Sequence, residues 1–249
     1  MKNELRVLMY HKTIDYGQTD LLTVSRDQLE EQFQLLLREG YNCVSLQEVL
    51  NHILNGSPMK KKPVILTFDD GYKNNLTVLY PLLQKYNLKA VIFLVPSFIK
   101  KAEAGNGIEY MNIEEILTMD PALVEFGLHT FDHKSYNKLE LEAIEQDIIK
   151  TKEWFKAFKI KYMPALAYTF GEYPKGNKAK RMAIFSLFKK YGVQAAFNIG
   201  NRVNSLPLKQ NFVIQRIDVR GTESLSKFSS KVKNGKIFTG FIKDILGKP

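Results

Sequence analysis

Apolar runs alternate along this chain with segments whose apolar residues recur every three or four positions. Short apolar runs bounded by turn residues predict buried strands, and the longer periodic segments predict amphipathic helices. Seven strands are predicted, at residues 5–10, 63–68, 90–95, 124–129, 165–168, 195–199 and 213–219. Six helices are predicted, around residues 26–38, 73–86, 113–119, 139–158, 177–191 and 224–233.

This alternation is typical of βα units around a parallel sheet. Seven such strands predict a closed or nearly closed α/β barrel, and 249 residues suffice for one. We expect long loops near residues 12–22, 96–112 and 170–178. No linker rich in Pro, Gly or Ser divides the chain, so we expect one domain over residues 1–249.

Two adjacent carboxylates follow the second predicted strand. Residues 67–72 have the sequence TFDDGY, in which Asp69 and Asp70 follow a buried apolar run. In α/β barrels the chemistry gathers at the carboxyl ends of the strands. Side chains alternate along a strand, so we expect the two aspartates to point in opposite directions and to serve different purposes. Two buried negative charges also require a cation or a basic partner.

Two of the four histidines follow another strand end. Residues 129–133 have the sequence HTFDH, which places His129 and His133 four residues apart. Two imidazoles and one carboxylate form a three-ligand set of the kind found in catalytic zinc sites, with one position left for water. The pair together with Asp69 and Asp70 indicates a metal site. We interpret Asp132, between the two histidines, as a turn residue.

Composition excludes several other classes of protein. The net charge is +10, from 36 Lys and Arg against 26 Asp and Glu, but the basic residues form scattered short clusters without a nucleic-acid recognition motif. We therefore expect no nucleic-acid partner, while peripheral contact with a membrane surface stays open. No apolar run reaches the ~18 residues of a membrane span. Cys43 is the only cysteine, and no signal peptide is visible, so a cytoplasmic location is expected.

The TFDDG sequence at residues 67–71 and the HTFDH sequence at residues 129–133 together resemble the first two motifs of the polysaccharide deacetylases. This family is also known as the NodB-homology or carbohydrate esterase family 4 group. Residues 7–12, with the sequence VLMYHK, also resemble the opening YH motif of the branch that deacetylates poly-β-1,6-N-acetylglucosamine. The resemblance spans roughly residues 5–220. It implies a distorted (β/α)7 barrel of the NodB kind in a single domain.

The resemblance also implies roles for individual residues. Asp70, His129 and His133 would bind one divalent metal ion, with zinc expected and Ni, Co, Mn or Fe as alternatives. Asp69 would be the general base that activates a water on the metal. Gly71 would allow a tight exit from the strand.

The chain departs from the family pattern in two places. Family members take the general acid from a late Leu-x-His motif, but no histidine follows His133. His11 is therefore expected to protonate the leaving amine, as in the YH branch, whereas a hydrogen-bonded structural histidine at a strand end is the alternative. His52 lies in a predicted helix and is expected to be inert.

The third family motif, usually Arg-x-Pro-Tyr, is replaced by AYTFG at residues 167–171. Tyr168 and Phe170 are expected to contact the substrate there, with a backbone N–H near Phe170 supporting the oxyanion. The arginine that braces the base is missing from this motif. Arg216, on the last predicted strand, could replace it by pairing with Asp69, and a surface ion pair is the alternative. Asp218 is a weaker candidate for the pocket.

The predicted function is metal-dependent removal of N-acetyl groups from N-acetylated sugars or polysaccharides. The first alternative is a glycan-binding protein that keeps the fold without the chemistry, because the third and last motifs are altered. A glycoside hydrolase using Asp69 and Asp70 as its acid/base pair is disfavoured. Such carboxylates must flank a bond at ~5–9.5 Å, which neighbouring strand residues pointing apart cannot do.

Overall fold

The computed structural model describes residues 4–235; the remaining ends of the predicted domain, 1–3 and 236–249, lie outside the described residues. The strands are β1 (Glu4–Tyr10), β2 (Lys12–Ile14), β3 (Thr23–Ser25), β4 (Asn42–Cys43), β5 (Pro63–Asp70), β6 (Ala90–Leu94), β7 (Val124–Leu128), β8 (Ala165–Ala167), β9 (Ala195–Ile199), β10 (Asn204–Ser205) and β11 (Ile214–Asp218). The helices are α1 (Arg26–Arg38), α2 (Leu46–Asn55), α3 (Tyr80–Tyr86), α4 (Pro96–Glu103), α5 (Ile113–Leu117), α6 (Leu141–Ala157), α7 (Lys178–Lys190) and α8 (Leu225–Asn234).

Seven parallel strands close a barrel in the order β1, β11, β9, β8, β7, β6, β5 and back to β1. These are the seven strands that the sequence predicts, with ends that differ by at most two residues. Short strands at the rim were not predicted: β10 pairs antiparallel with β1, β4 pairs with β5, and β2 pairs with β3. The (β/α)7 fold class is confirmed.

Two apolar cores hold the barrel together. One fills the barrel interior with side chains such as Val7, Ile65, Phe93 and Phe197, and the other lies between the strands and the surrounding helices. Strand β5 is buried along its whole length because it faces both cores. A strand buried on both faces requires the continuous apolar run that the sequence shows.

Local side-chain bonds determine where several helices begin. Ser25, Ser45 and Asn112 each accept a hydrogen bond from the backbone three residues later, and Gln28, Glu48 and Glu115 bond back to the cap. These are capping boxes, which satisfy N–H groups that have no partner within the helix. Helix α1 has the predicted bounds, and helix α2 contains His52, as expected.

The helix predicted at 73–86 has two parts. Residues Asn75–Leu79 form a π-helical turn, and α3 follows at Tyr80–Tyr86.

The prediction of a long loop at 96–112 is wrong in its first half, because α4 occupies Pro96–Glu103. Proline at the first position of a helix has no N–H to leave unsatisfied, and this favours α4. The stretch Thr169–Gly171 is a short 3-10 turn inside the predicted 170–178 loop.

Between residues 4 and 235 no helix is long and apolar enough to cross a membrane. The assignment of one domain to the complete range 1–249 stays a prediction.

Replacing Gly127 with alanine should destabilise the barrel. A Cβ on Gly127 would lie 2.5 Å from the ring of Phe93, a buried aromatic residue of the barrel interior. Overpacking a close-packed core costs roughly 1–3 kcal/mol. We expect Gly127→Ala to lower the free energy of unfolding by about that amount in urea denaturation.

The matched control is Gly176→Ala, since a Cβ at Gly176 would meet no atom within 4 Å. This variant should stay within about 0.5 kcal/mol of the parent protein. Equal stability of the two variants would show that the β7 backbone can move away from Phe93.

Candidate metal centre and active site

The predicted acid, base and metal-ligating residues converge at the carboxyl ends of β1, β5 and β7, with β6 lying between β5 and β7. Tyr10 of β1 pairs with Phe68 of β5, so His11 leaves the sheet beside Asp69. Leu94 of β6 pairs with both Asp70 and Leu128, and its carbonyl accepts a hydrogen bond from the N–H of His129. The register of the sheet therefore brings residues far apart in sequence to one end of the barrel.

Asp70, His129 and His133 form a compact set of ligand atoms. Asp70 Oδ1 lies 3.2 Å from His133 Nε2 and 3.5 Å from His129 Nε2. The three ligand atoms lie within 4.8 Å of one another. Within the described residues Asp70 Oδ1 is buried without a hydrogen-bond partner, because the His133 ring is close but not aligned for donation. A buried oxygen facing two imidazole nitrogens fits a metal cation.

A hydrogen bond orients the ring of His129 for metal binding. His129 Nδ1 lies 2.8 Å from the carbonyl oxygen of Ala167. A carbonyl can only accept, so Nδ1 carries the proton and donates, which leaves the lone pair of Nε2 directed at Asp70. Burial lowers the pKa of His129 to about 4, more than the nearby carboxylates raise it. The imidazole is thus neutral, as a metal ligand must be.

Asp69 is held by a buried arginine. Arg216 Nη1 donates to Asp69 Oδ1 at 2.7 Å, and both side chains are almost completely buried. Burial by itself raises the pKa of Asp69, but the charge of Arg216 and its hydrogen bond lower the pKa overall. The other oxygen, Oδ2, lies 3.8 Å from His129 Nε2 and 3.9 Å from His11 Nε2. Asp69 is therefore an ionised carboxylate with one oxygen towards the two histidines.

The two aspartates do not point in opposite directions, and that expectation is wrong. Both carboxylates lie within 4 Å of His129 Nε2. Asp70 has a φ of 76°, and this left-handed conformation breaks the alternation at the last residue of β5.

The glycoside hydrolase alternative is still disfavoured, on other grounds. It requires one carboxylic acid with a raised pKa, whereas the pKa values of Asp69 and Asp70 are both lowered.

Left-handed backbone recurs around the site. Besides Asp70, the non-glycine residues Thr130, His133 and Phe170 have φ values of 61°, 55° and 57°. Gly71 has a φ of 80°, and a Cβ there would lie 2.7 Å from the side chain of Leu94. Such conformations cost free energy and persist only where the surrounding structure enforces them. These strained residues cluster around the site, which indicates that the arrangement of its side chains is maintained at the expense of stability.

A cavity of about 250 Å³ lies over these groups. Aromatic rings form one wall, with Tyr72 stacked on Tyr110 at 4.9 Å and Tyr110 stacked on Phe98 at 4.5 Å. Phe98 and Phe170 contact the ring of His133, at 5.4 and 4.8 Å between centroids. The remaining lining includes His11, Asp69 and Asp70, with Met9, Ile199 and Asp218 from β1, β9 and β11 and with Leu22 and Arg220 from loops.

The structure places most predicted site residues in this cavity, but not Tyr168. The ring of Tyr168 is buried, and its hydroxyl donates to the carbonyl of Phe212 at 3.1 Å. Tyr168 is thus a core residue, and the expectation that its side chain contacts substrate is wrong. Phe170 reaches the cavity because its left-handed backbone turns it away from the core. Asp132 is exposed and lies 3.9 Å from Lys150, which agrees with a turn residue.

Sequence reasoning missed several residues of the cavity wall, among them Tyr72, Phe98, Tyr110 and Arg220. Tyr72 directly follows Gly71 at the end of β5, and this position after a strand end could have marked Tyr72 as a candidate site residue. Phe98 and Tyr110 belong to the segment predicted as a loop, and no spacing pattern singles them out. Arg220 follows the end of β11 by two residues and donates from Nε to Asp218 Oδ2, and no sequence motif marks it.

Comparison with known proteins agrees with this site. The family model for polysaccharide deacetylase matches residues 56–182, just over half of the chain, and includes the Asp69–Asp70 and His129–His133 motifs. YxkH of Bacillus subtilis (strain 168), named for the same family, is 27% identical over 170 residues, covering 68% of this chain and 58% of YxkH. The poly-beta-1,6-N-acetyl-D-glucosamine N-deacetylase of Escherichia coli (strain K12) is 26% identical over 251 residues, covering 85% of this chain and 36% of that protein. The chain thus spans only part of the length of these relatives.

Among solved structures, the Streptococcus pyogenes deacetylase PplD in complex with acetate superimposes with a TM-score of 0.78. The match covers 93% of this chain and 99% of PplD at 20% sequence identity, and at that identity it bears on the fold alone. The two specific motifs, the closed seven-stranded barrel and the family match lead to one conclusion: this chain belongs to the polysaccharide deacetylase family.

Proposed function

We propose that the protein is a metal-dependent hydrolase that removes N-acetyl groups from N-acetylated glycans. The observation that carries this proposal is the cluster of Asp70, His129 and His133 with Asp69 beside it, at the floor of a cavity with aromatic walls. A metal-ligand set, a separate ionised carboxylate and a bracing arginine are the parts that amide hydrolysis requires.

Asp70 Oδ1 and the Nε2 atoms of His129 and His133 would hold the metal ion. When bound, a divalent cation polarises the acetyl carbonyl and lowers the pKa of a water that it coordinates. Two imidazoles and a carboxylate suit zinc, and Ni, Co, Mn and Fe also accept this donor set. The identity of the metal is part of the proposal.

Asp69 would take the proton of the attacking water. Its ionised state is maintained by Arg216, and its free Oδ2 faces the same side as the histidine nitrogens. Because Arg216 Nη1 occupies Oδ1, the side chain is restrained in one orientation. A base that is both charged and oriented requires little rearrangement before proton transfer.

His11 would protonate the departing amine. It lines the cavity, and its Nε2 lies 3.9 Å from Asp69 Oδ2, so a proton could pass between the two residues through one water. No other histidine of the chain outside the metal set lines this cavity. His52 lies on α2, where its Nδ1 contacts the carbonyl of Ser57 at 2.7 Å.

The substrate would be an N-acetylated sugar within a free, lipid-linked or polymeric glycan. Aromatic rings such as Tyr72, Phe98 and Phe170 offer flat apolar surfaces against which a sugar ring can pack. The name of the Escherichia coli relative makes polymers of N-acetylglucosamine the first candidates. The cytoplasmic location and the absence of a nucleic-acid partner stay predictions.

The direct test is acetate release from a panel of N- and O-acetylated glycans, with and without a chelator. We expect release from at least one N-acetylated glycan, loss of release with chelator and recovery when a divalent metal is restored. Binding of glycans without any release, in metal-loaded protein, would favour the glycan-binding alternative.

Asp70→Ala should abolish metal binding as well as activity. The variant removes the only carboxylate oxygen of the three-atom set. Elemental analysis should find about one equivalent of divalent metal in the parent protein and almost none in the variant. Asp132→Ala is the matched control, since Asp132 is exposed between the two histidines; it should keep its metal. Full metal occupancy in Asp70→Ala would refute the assigned ligand set.

Asp69→Asn should separate catalysis from metal binding. The amide keeps the size of the side chain but cannot take a proton, so we expect kcat to fall by ~10²-fold or more. Metal content should stay at the level of the parent protein. A near-native kcat would show that another group deprotonates the water.

His11→Ala should lower kcat while metal content is unchanged. The expected loss is ~10²-fold, because a poor amine leaving group then departs without a positioned acid. His52→Ala, which alters a histidine of α2 away from the cavity, should keep native kcat. If the two variants have equal activity, the leaving-group acid lies elsewhere.

A further inference from the structure

Two neighbouring loops at the active-site end carry an excess of positive charge. Residues 134–138 follow β7, and residues 173–181 comprise the loop after β8 and its 3-10 turn together with the first turn of α7. These two segments contain no Asp or Glu; their basic residues are Lys134, Lys138, Lys175, Lys178, Lys180 and Arg181. The net charge of the whole chain is +10, so these loops account for much of the excess.

Hydrogen bonds join the two loops into one surface. Lys180 Nζ donates to the carbonyl of Asn137 at 3.1 Å, and Ser135 Oγ donates to Glu172 Oε2 at 2.7 Å. Arg181 Nη1 donates to the carbonyl of Lys175 at 2.7 Å. Lys180 therefore holds the two segments together, Arg181 braces the second segment internally, and the other four lysines have no such contact among the bonds of the described residues.

Those four lysines, which we call the basic patch, are Lys134, Lys138, Lys175 and Lys178. All four are exposed, and in the region 4–235 none has a carboxylate within 4 Å. The carboxylates nearest in sequence make other contacts or none: Asp132 lies 3.9 Å from Lys150, Glu172 accepts a hydrogen bond from Ser135, and Glu140 is exposed. Unbalanced like charges on adjoining loops destabilise the fold and attract anions.

The basic patch begins at the mouth of the cavity. Lys134 directly follows His133, and Lys175 is four residues beyond Gly171, which also lines the cavity. Elsewhere around the mouth, Lys73 pairs with Glu115 at 2.9 Å, and Arg220 pairs with Asp218. Lys12 and Lys101 have no carboxylate partner within residues 4–235, and their ammonium groups lie over the rings of Tyr72 and Phe98. The largest group of unpaired lysines near the cavity is thus the basic patch on one side.

We propose that the basic patch binds carboxylate or phosphate groups of the glycan next to the acetylated sugar, so that the substrate is an anionic N-acetylated polymer. This inference rests on the proposed deacetylase function. Lysine ammonium groups attract either anion as point charges, without the bidentate geometry that would select one of them. A membrane surface is the less favoured partner. Membrane-binding surfaces combine basic with exposed apolar residues, whereas the large apolar side chains exposed beside these two segments are Met182 and Phe170, and Phe170 lines the cavity.

The test compares two quadruple variants with the same change in charge. The patch variant is K134Q/K138Q/K175Q/K178Q. The control variant is K61Q/K156Q/K161Q/K189Q, whose lysines are exposed and lie at the opposite end of the barrel. Lys61 and Lys161 precede β5 and β8, and Lys156 and Lys189 lie in the last turns of α6 and α7. Both variants should unfold at the same temperature as the parent protein to within a few degrees.

The substrates are matched pairs that differ only in charge. One pair is an oligosaccharide of alternating N-acetylglucosamine and glucuronic acid and its carboxyl-reduced form. The other is a poly(glycerol phosphate) oligomer that carries N-acetylglucosamine and a neutral polyol that carries the same sugar. We expect kcat/KM for at least one anionic member to fall ~10-fold in the patch variant at low salt, mainly through KM. The neutral members and the control variant should be unaffected, and ~0.5 M salt should remove the difference. The pair that responds identifies carboxylate or phosphate as the recognised group.

Several results would overturn the proposal. Equal kcat/KM of the parent and patch variants on both anionic glycans would do so, as would an equal loss on anionic and neutral members. Patch-dependent binding to phosphatidylglycerol vesicles without any effect on anionic glycans would show that the partner is a membrane. Failure of the deacetylase function itself would look different, with no acetate released from any glycan by metal-loaded protein. In that case the dissociation constants of the parent and patch variants for the same oligosaccharides still test anion binding by the patch.

Discussion

The buried ion pair between Arg216 and Asp69 is the interaction on which the site depends. Arg216 has no exposed surface, and its guanidinium lies over the ring of Phe93 at 5.8 Å. Two of its nitrogens, Nε and Nη2, have no hydrogen-bond acceptor among the described residues. Burying an arginine this way is costly, and removing either partner would leave an uncompensated charge. The pair therefore joins β5 to β11 across the barrel interior and keeps Asp69 ionised.

The metal-ligand set depends on a different constraint, the strained backbone after the strand ends. Asp70 and His133 have left-handed conformations, and Gly71 packs too closely against Leu94 for a side chain. Without the turn at Asp70, its carboxylate would point away from Asp69, as ordinary strand geometry dictates. Strain in the chain is thus what lets two consecutive aspartates serve one site while making different contacts.

The parts predicted best from the sequence were those set by local pattern. Continuous apolar runs identified all seven barrel strands, because strands buried on both faces tolerate few polar residues. The DDG and HxxxH spacings identified the cluster of Asp70, His129 and His133. The features that the sequence did not predict depend on tertiary context. They are the left-handed turn at Asp70, the buried position of Tyr168 and the aromatic wall formed by Phe98 and Tyr110. A single sequence carries no signal for which aromatic residues face a cavity and which face the core.

The closure of the barrel by its first strand has a consequence for biosynthesis. Strand β1 is made first, but it lies between β5 and β11, whose residues are made about 60 and 210 positions later. Until β11 leaves the ribosome, His11 and Asp69 can come together but Arg216 cannot join them. A nascent chain therefore carries Asp69 without its counter-charge until the last barrel strand inserts, although the acid, the base and the metal ligands, all within residues 11–133, have been made long before.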